Sequence, residues 1–149
     1  MQIIKDKQII DNTWVFVDDE TEISANGNIT VSLARWLQQQ PLLANREGKT
    51  GIRITSSDQT TAAIADNLHS IELIELDFPG FGDGRLFSHA HQLRKHLGYQ
   101  GEIRAVGHFL PDQVYYLQRV GVNAFQLEDE NQLPLALSCM NDFTVNYQS

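Results

Sequence analysis

Four side chains that could transfer a proton or hold an anion lie in two polar stretches of this sequence. Asp83 and Arg85 stand in a glycine-rich stretch, and His108 and Asp112 stand in the polar stretch that follows the next apolar segment. A carboxylate, a guanidinium and an imidazole suit acid–base chemistry or the binding of an anion. We therefore predict Asp83, Arg85 and Asp112 as catalytic residues, with His108 as a weaker candidate.

The glycine-rich stretch predicts a ligand-binding turn. Gly80, Gly82 and Gly84 interrupt regular structure between an apolar segment and a helical pattern that begins at Arg85. A strand, a glycine-rich turn and a helix start gather anions at the carboxyl end of a strand. We predict that these glycines, together with Arg85 and Gln113, contact a ligand. The glycine spacing departs from that of a dinucleotide fingerprint, and the sequence indicates no metal site.

Each of these side chains also has a structural interpretation. Asp83 precedes a predicted helix, where capping is favoured over catalysis. Arg85 is as well explained by an ion pair with Asp77 or Asp112, which would join two loops, as by ligand binding. The residues alone leave these alternatives open.

Apolar segments alternate with helical patterns from residue 52 onward, and this alternation must position the candidates. The patterns predict strands at 52–55, 71–76, 102–106 and 124–127, and helices at 61–68, 86–97, 112–120 and 133–142. About four successive strand–helix units predict an α/β fold with a parallel sheet. The loops after parallel strands share one edge of the sheet, so the candidate residues should lie together there.

Two architectures fit this pattern. We favour an open, doubly wound sheet over half of a βα-barrel, because a lone half-barrel leaves two bare edges. Residues 1–30 show a pattern typical of β-strands. We predict a hairpin of 1–10 with 13–17 that turns at Asp11 and Asn12, and this hairpin could cover one edge of the sheet. The 149 residues predict a single domain, with a β-rich extension over 1–30 and strand–helix repeats over 50–145.

Composition narrows the function classes. The net charge of −8 argues against nonspecific binding to nucleic acid or to anionic membranes. The one cysteine, Cys139, excludes an internal disulfide and a cysteine-rich metal centre. The opening segment lacks the apolar core of a signal peptide, and no stretch approaches the ~20 apolar residues of a membrane span. We therefore predict a cytoplasmic protein, for which an exposed sheet edge makes a homodimer plausible.

Several short motifs resemble a bacterial family, the domain-of-unknown-function family 934, most densely from about residue 71 to 127. The matching motifs include Asp77-Phe78-Pro79-Gly80-Phe81, Asp83-Gly84-Arg85, Leu93-Arg94, Gly98-Tyr99, Gly101-Glu102, Arg104-Ala105, Gly107, Asp112-Gln113, Arg119, Gly121 and Ala124-Phe125. Members are labelled probable oxidoreductases involved in sulfite reduction and are found beside the sulfite reductase haemoprotein. His108 stands where many members carry an aspartate. The resemblance therefore favours Asp83, Arg85, Asp112 and Gln113 over His108 as site residues.

The resemblance implies an accessory protein of assimilatory sulfite and sulfate reduction, acting with the sulfite reductase haemoprotein. The alternative is a small enzyme that binds an oxyanion or phosphate at an Asp/Arg site on the carboxyl edge of the sheet. Whether the chain is an enzyme is left open, since it has no cysteine pair and no standard flavin or nicotinamide motif. No cofactor is assigned, and noncovalent binding of a flavin or nicotinamide stays open.

Overall fold

A computed structural model describes residues 1–56, 58, 64–80 and 84–147, the last seven of these in their main-chain path alone. The strands are β1 (Gln2–Lys5), β2 (Gln8–Asp11), β3 (Trp14–Phe16), β4 (Asn28–Ser32), β5 (Thr50–Thr55), β6 (Leu73–Phe78), β7 (Glu102–Gly107) and β8 (Ala124–Phe125). The α-helices are α1 (Leu33–Gln38), α2 (Gln40–Ala44), α3 (Arg85–His91), α4 (Val114–Arg119) and α5 (Leu133–Tyr147). No helix within the described residues has the length and apolarity needed to cross a bilayer.

The eight strands form one sheet in the order β2-β1-β8-β7-β6-β5-β4-β3, and β3 to β8 run parallel to one another. The α/β class with an amino-terminal hairpin is confirmed. The order of the parallel strands never reverses, so right-handed connections place the helices on one face and the sheet curls into an open half-barrel. The half-barrel alternative is therefore the architecture found, since a doubly wound sheet requires a reversal of strand order.

The amino-terminal segment extends the sheet at both edges. β1 pairs antiparallel with β2 and with β8, and β3 pairs with β4 at the opposite edge. Only Asn12 and Thr13 separate β2 from β3, so three peptide steps of about 3.8 Å bring the two edge strands close together. The sheet thus curls until one extended segment serves both edges, which answers the bare-edge objection to a half-barrel.

The hairpin differs from its prediction in where it turns. The chain reverses at Asp6 and Lys7, whose φ values of 50° and 67° match a tight primed turn. The prediction of a turn at Asp11 and Asn12 was wrong, because the chain bends there without reversing and continues into β3 at the far edge. Strand β4 was not predicted, and the structure therefore has one more strand–helix unit than expected.

The helix-covered face carries the apolar core. Alternate residues of the central strands, such as Ile52, Ile74 and Leu76, pack with helix residues such as Trp36 and Leu86. The predicted strands at 52–55, 71–76, 102–106 and 124–127 match β5 to β8 closely. Of the predicted helix at 61–68, residues 61–63 lie outside the described residues, and a 3₁₀ helix spans Ala65–Ser70.

The opposite face of the sheet, here called the inner face, carries charge. Arg53, Glu75 and Arg104 stand side by side on β5, β6 and β7. Glu75 Oε1 accepts hydrogen bonds from Thr30 Oγ1 at 2.7 Å and from Arg53 Nε at 2.9 Å. Arg104 Nη1 donates to Asn12 Oδ1 at 2.9 Å. The connection between β2 and β3 is therefore tied to the inner face by a polar contact.

Candidate functional site

The loops that follow β5 to β8 form the rim, whose described residues are 55–56, 58, 77–80, 84–85, 107–113 and 128–131. Thr55 pairs with Asp77, and Phe78 pairs with Gly107, so the ends of the three central strands lie level. This register brings the loops with the predicted site residues to one edge, as expected from parallel strands. Their functional roles stay predictions.

A close approach between β6 and β7 shapes the centre of the rim. Gly107 has a φ of +90°, and a Cβ there would lie 2.5 Å from the Phe78 carbonyl oxygen and 2.7 Å from Asp77 Oδ1. His108 N donates to the same carbonyl at 2.8 Å. Because any side chain at 107 would displace Asp77 or the β6 backbone, glycine is required for the half-buried Asp77 to sit where it does.

Arg85 begins α3 and is exposed at the rim. Its Nη2 lies 3.4 Å from Ser56 Oγ, a long hydrogen bond between the loops after β5 and β6. Gly84 occupies the N-cap position and has no side chain to cap the helix. Gly80 lies in the loop before it, where a Cβ would meet open space. The predicted residues Gly82 and Asp83 lie outside the described residues.

The two carboxylates considered as partners of Arg85 do not form an ion pair with it. Neither Asp77 nor Asp112 forms an ion pair or side-chain hydrogen bond with Arg85 among the described residues. Asp112 points into solvent from the turn that precedes α4. Of the two alternatives for Arg85, the ion pair with Asp77 or Asp112 is therefore wrong.

His108 has a partner that the residue pattern did not predict. Its Nδ1 lies 2.7 Å from Glu128 Oε1, and both side chains are about 60% exposed (60% and 61%). A contact so open to water contributes little to stability. It nevertheless joins the loops after β7 and β8, and it places an imidazole and a carboxylate together at the surface.

Gln113 connects the rim to a groove on the helical layer. Its Oε1 accepts a hydrogen bond from Leu110 N at 2.8 Å, which caps the turn before α4. The same residue lines a cavity of about 610 Å³ between α3 and α4. The other lining residues are Phe87, Tyr116, Arg119 and Val120. We call this cavity the α3–α4 groove; it was not predicted, because its sides come from two helices separated in sequence.

The opposite, lower end of the parallel strands is closed by arginine. Arg94 Nε donates to the Gly121 carbonyl at 2.9 Å, and its Nη1 donates to the Tyr99 and Gly101 carbonyls at 2.8 and 2.7 Å. Tyr99 Oη donates to the Ile71 carbonyl at 2.9 Å. Burial lowers the pKa of the Arg94 guanidinium and raises the pKa of the Tyr99 phenol.

Two glycines permit this arrangement. A Cβ on Gly121, whose φ is +110°, would collide with the Arg94 side chain, and one on Gly101 would collide with the Tyr99 ring. These residues belong to the motifs Leu93-Arg94, Gly98-Tyr99, Gly101-Glu102 and Gly121. That half of the motif set therefore has a structural explanation, whereas the motifs around Gly80 and Arg85 lie at the rim.

The rim as described combines exposed groups of both signs on neighbouring loops. Arg85, His108, Glu128 and Asp112 are each open to solvent. Such a surface can contact a charged partner protein, and the guanidinium can hold an oxyanion.

Comparison with known proteins identifies one family. The family model described as "Bacterial protein of unknown function (DUF934)" matches residues 51–149. The match covers β5 to β8, the rim and the Arg94 contacts, and it begins after the segment that forms β1 to β4. The comparison with curated proteins found no match.

Proposed function

The chain belongs to the DUF934 family of bacterial proteins, and from that premise we propose that it is a cytoplasmic accessory protein of sulfite reduction. In this proposal it acts by binding the sulfite reductase haemoprotein. The reaction and the partner come from what the family resemblance implies, namely the members' label and their position beside that haemoprotein. The proposal assigns no chemical step to the chain itself.

The observation that carries a binding role is the composition of the α3–α4 groove. Phe87, Tyr116 and Arg119 line it, and Tyr116 is 52% exposed. Aromatic residues and arginine are enriched at the centres of protein interfaces, where they supply most of the binding energy. Gln113 joins this groove to the charged rim, so apolar and polar contact surfaces are continuous.

Charge supports the same proposal. The chain carries a net charge of −8, and the groove presents a cation, Arg119, within that acidic molecule. A partner with a largely basic surface and a local carboxylate opposite Arg119 would be complementary to both features.

Co-purification tests the binding role. The tagged full-length chain should retain the sulfite reductase haemoprotein from a lysate in which both are expressed, and the double variant Y116A/R119E should lose it. The matched control is Leu42→Ala, which truncates an equally exposed apolar residue on α2 (57% exposed). If the wild-type chain fails to retain the reductase, or if a deletion strain grows normally on sulfate as sole sulfur source, the proposal is rejected.

A second candidate function is the binding of an oxyanion or phosphate at the rim, by a small enzyme. The observation that favours it is the exposed Arg85 guanidinium, which bridges two loops through Ser56. Replacing Arg85 by glutamine should then abolish the sulfate-induced NMR shifts of the Ser56 and Gly84 amides at the rim, while leaving the melting temperature nearly unchanged. Sulfate-induced shifts retained at these two amides in R85Q would exclude this site.

A further inference from the structure

Arg53 lies on the inner face of β5 with one side of its guanidinium already engaged. Its Nε lies 2.9 Å from Glu75 Oε1, and its Cζ lies 3.9 Å above the centre of the Phe16 ring. The carboxylate fixes the direction of the guanidinium, and the ring fixes its plane. Arg53 is therefore held in a defined orientation by residues from two other strands.

The remaining donors of Arg53 point away from these contacts. Nη1 and Nη2 make no hydrogen bond or ion pair with any residue that the structure describes. The side chain is 20% exposed, and Phe16 beside it is 36% exposed, so this edge of the guanidinium is reached by solvent. A buried or half-buried arginine usually has its donors satisfied, which makes this free edge unusual.

The second arginine of the inner face shows the contrast. Arg104 Nε lies 2.9 Å and its Nη2 lies 2.6 Å from Glu102 Oε2, and its Nη1 donates to Asn12. It is 1% exposed and each of its nitrogens is used. Arg104 is thus a structural residue, and it also supplies a positive charge beside Glu75 in the sheet register.

Glu75 is fixed in its role of orienting Arg53. Its side chain is 3% exposed, and the same Oε1 also accepts from Thr30 Oγ1 at 2.7 Å. A carboxylate held in this way positions the guanidinium and leaves the two Nη groups as a fork.

We propose that the Nη edge of Arg53, at the opening beside Phe16, binds a small oxyanion through two parallel N–H···O hydrogen bonds. The ligand class is a sulfate-like or phosphate-like ion or a carboxylate, each of which presents two oxygens with the spacing of the fork. This site lies on the inner face of the sheet, so it is separate from Arg85 at the rim and from the α3–α4 groove. It does not depend on the proposed partner.

The test is an NMR titration of the ¹⁵N-labelled full chain with sodium sulfate, sodium phosphate and sodium acetate, each compared with sodium chloride at equal ionic strength. Saturable shifts are expected at the Arg53 Nε–H and at the amides of Phe16 and Arg53. The acetate arm distinguishes a carboxylate from a tetrahedral ion. Shifts no larger than those caused by chloride would overturn the proposal.

Two variants distinguish the contribution of the guanidinium geometry to anion binding from that of positive charge alone. Arg53→Lys keeps the charge but loses the two-pronged geometry, so binding should weaken about tenfold or more. Arg35→Lys makes the same exchange on α1, where the side chain contacts Gln39 and the Asp18 carbonyl, and should bind as the wild type does. Equal affinity of the two variants would overturn the proposal, as would a loss of binding in R85Q alone.

A second variant tests the same site in case R53K does not fold. Phe16→Leu keeps an apolar side chain but removes the ring beneath the guanidinium, so binding should weaken roughly threefold. Where R53K lacks a folded spectrum, unchanged affinity in F16L overturns the proposal.

Discussion

Arginine is used in opposite ways at the two ends of the sheet. At the lower end, Arg94 is half-buried and donates to three main-chain carbonyls from the two loops that precede β7 and β8. At the rim, Arg85 is exposed and donates a long hydrogen bond to Ser56. In βα-barrels, stability concentrates at the amino ends of the strands, and the contacts of Arg94 lie at that end.

The comparison separates two kinds of motif residue. Gly101 and Gly121 are explained by the space that Tyr99 and Arg94 occupy, so their presence carries no information about a ligand. Gly80 and Gly84 have open space where a Cβ would be, so packing does not explain them. The motif residues that packing leaves unexplained are therefore the ones to test for function.

The largest effect is expected from Arg94→Ala. The substitution leaves the carbonyls of Tyr99, Gly101 and Gly121 without their donor, and hydrogen bonds to a charged group are worth about 1.5–3 kcal/mol each but do not add fully. We expect the free energy of unfolding to fall by about 3–4 kcal/mol, measured by denaturant titration. The control is Arg85→Ala at the rim, and a smaller loss for R94A than for R85A would reverse the comparison.

Gly107→Ala should have the next largest effect. Its φ of +90° and the short distances from a Cβ to the Phe78 carbonyl and Asp77 require the β6 end or the Asp77 side chain to move. We expect a loss of about 2 kcal/mol, from a strained left-handed residue and a displaced backbone. Gly80→Ala, in open space, is the matched control; equal losses in a thermal melt would show that the rim is not shaped by Gly107.

Tyr99→Phe should change how the free energy of unfolding depends on pH, because it removes the buried phenol at the lower end of the sheet. Losing the hydrogen bond to the Ile71 carbonyl should cost about 1 kcal/mol at neutral pH. Burial raises the pKa of Tyr99 in the folded chain, so its contribution is full below the unfolded value of about 10 and is lost as pH rises above it. The wild type should therefore lose stability above pH ~10 more steeply than Y99F, measured by urea unfolding from pH 8 to 11. Parallel profiles would contradict the burial of the phenol.

The smallest effect is expected from separating His108 and Glu128 at the rim. His108→Ala and Glu128→Ala should each change the free energy of unfolding by less than about 0.5 kcal/mol, because both side chains are about 60% exposed. A double-mutant cycle measures their coupling. A coupling above about 1 kcal/mol would mean that the rim, like the lower end, is held by its charged groups.

The sequence predicted the central strands and the rim well, for a local reason. The apolar runs now seen in β5 to β7 each have glycine or proline on at least one side, and parallel strands bring the loops after them to one edge whatever the strand order. Gly80, Arg85 and His108 therefore reached the rim as expected. The partners of His108 and Arg85 were not predicted, because Glu128 and Ser56 come from other loops whose distances depend on how far the sheet curls.

The tertiary structure decided the rest. A sequence period records which face of a strand is apolar, but it does not record which strand pairs with which, so strand order and the half-barrel were undetermined. The split of the amino-terminal segment between both edges follows from that curl. The same closure brings Phe16 against Arg53 and Asn12 against Arg104, contacts between residues 37 and 92 positions apart in the chain. Only folding could bring these groups together, because nothing in their local patterns requires them to meet.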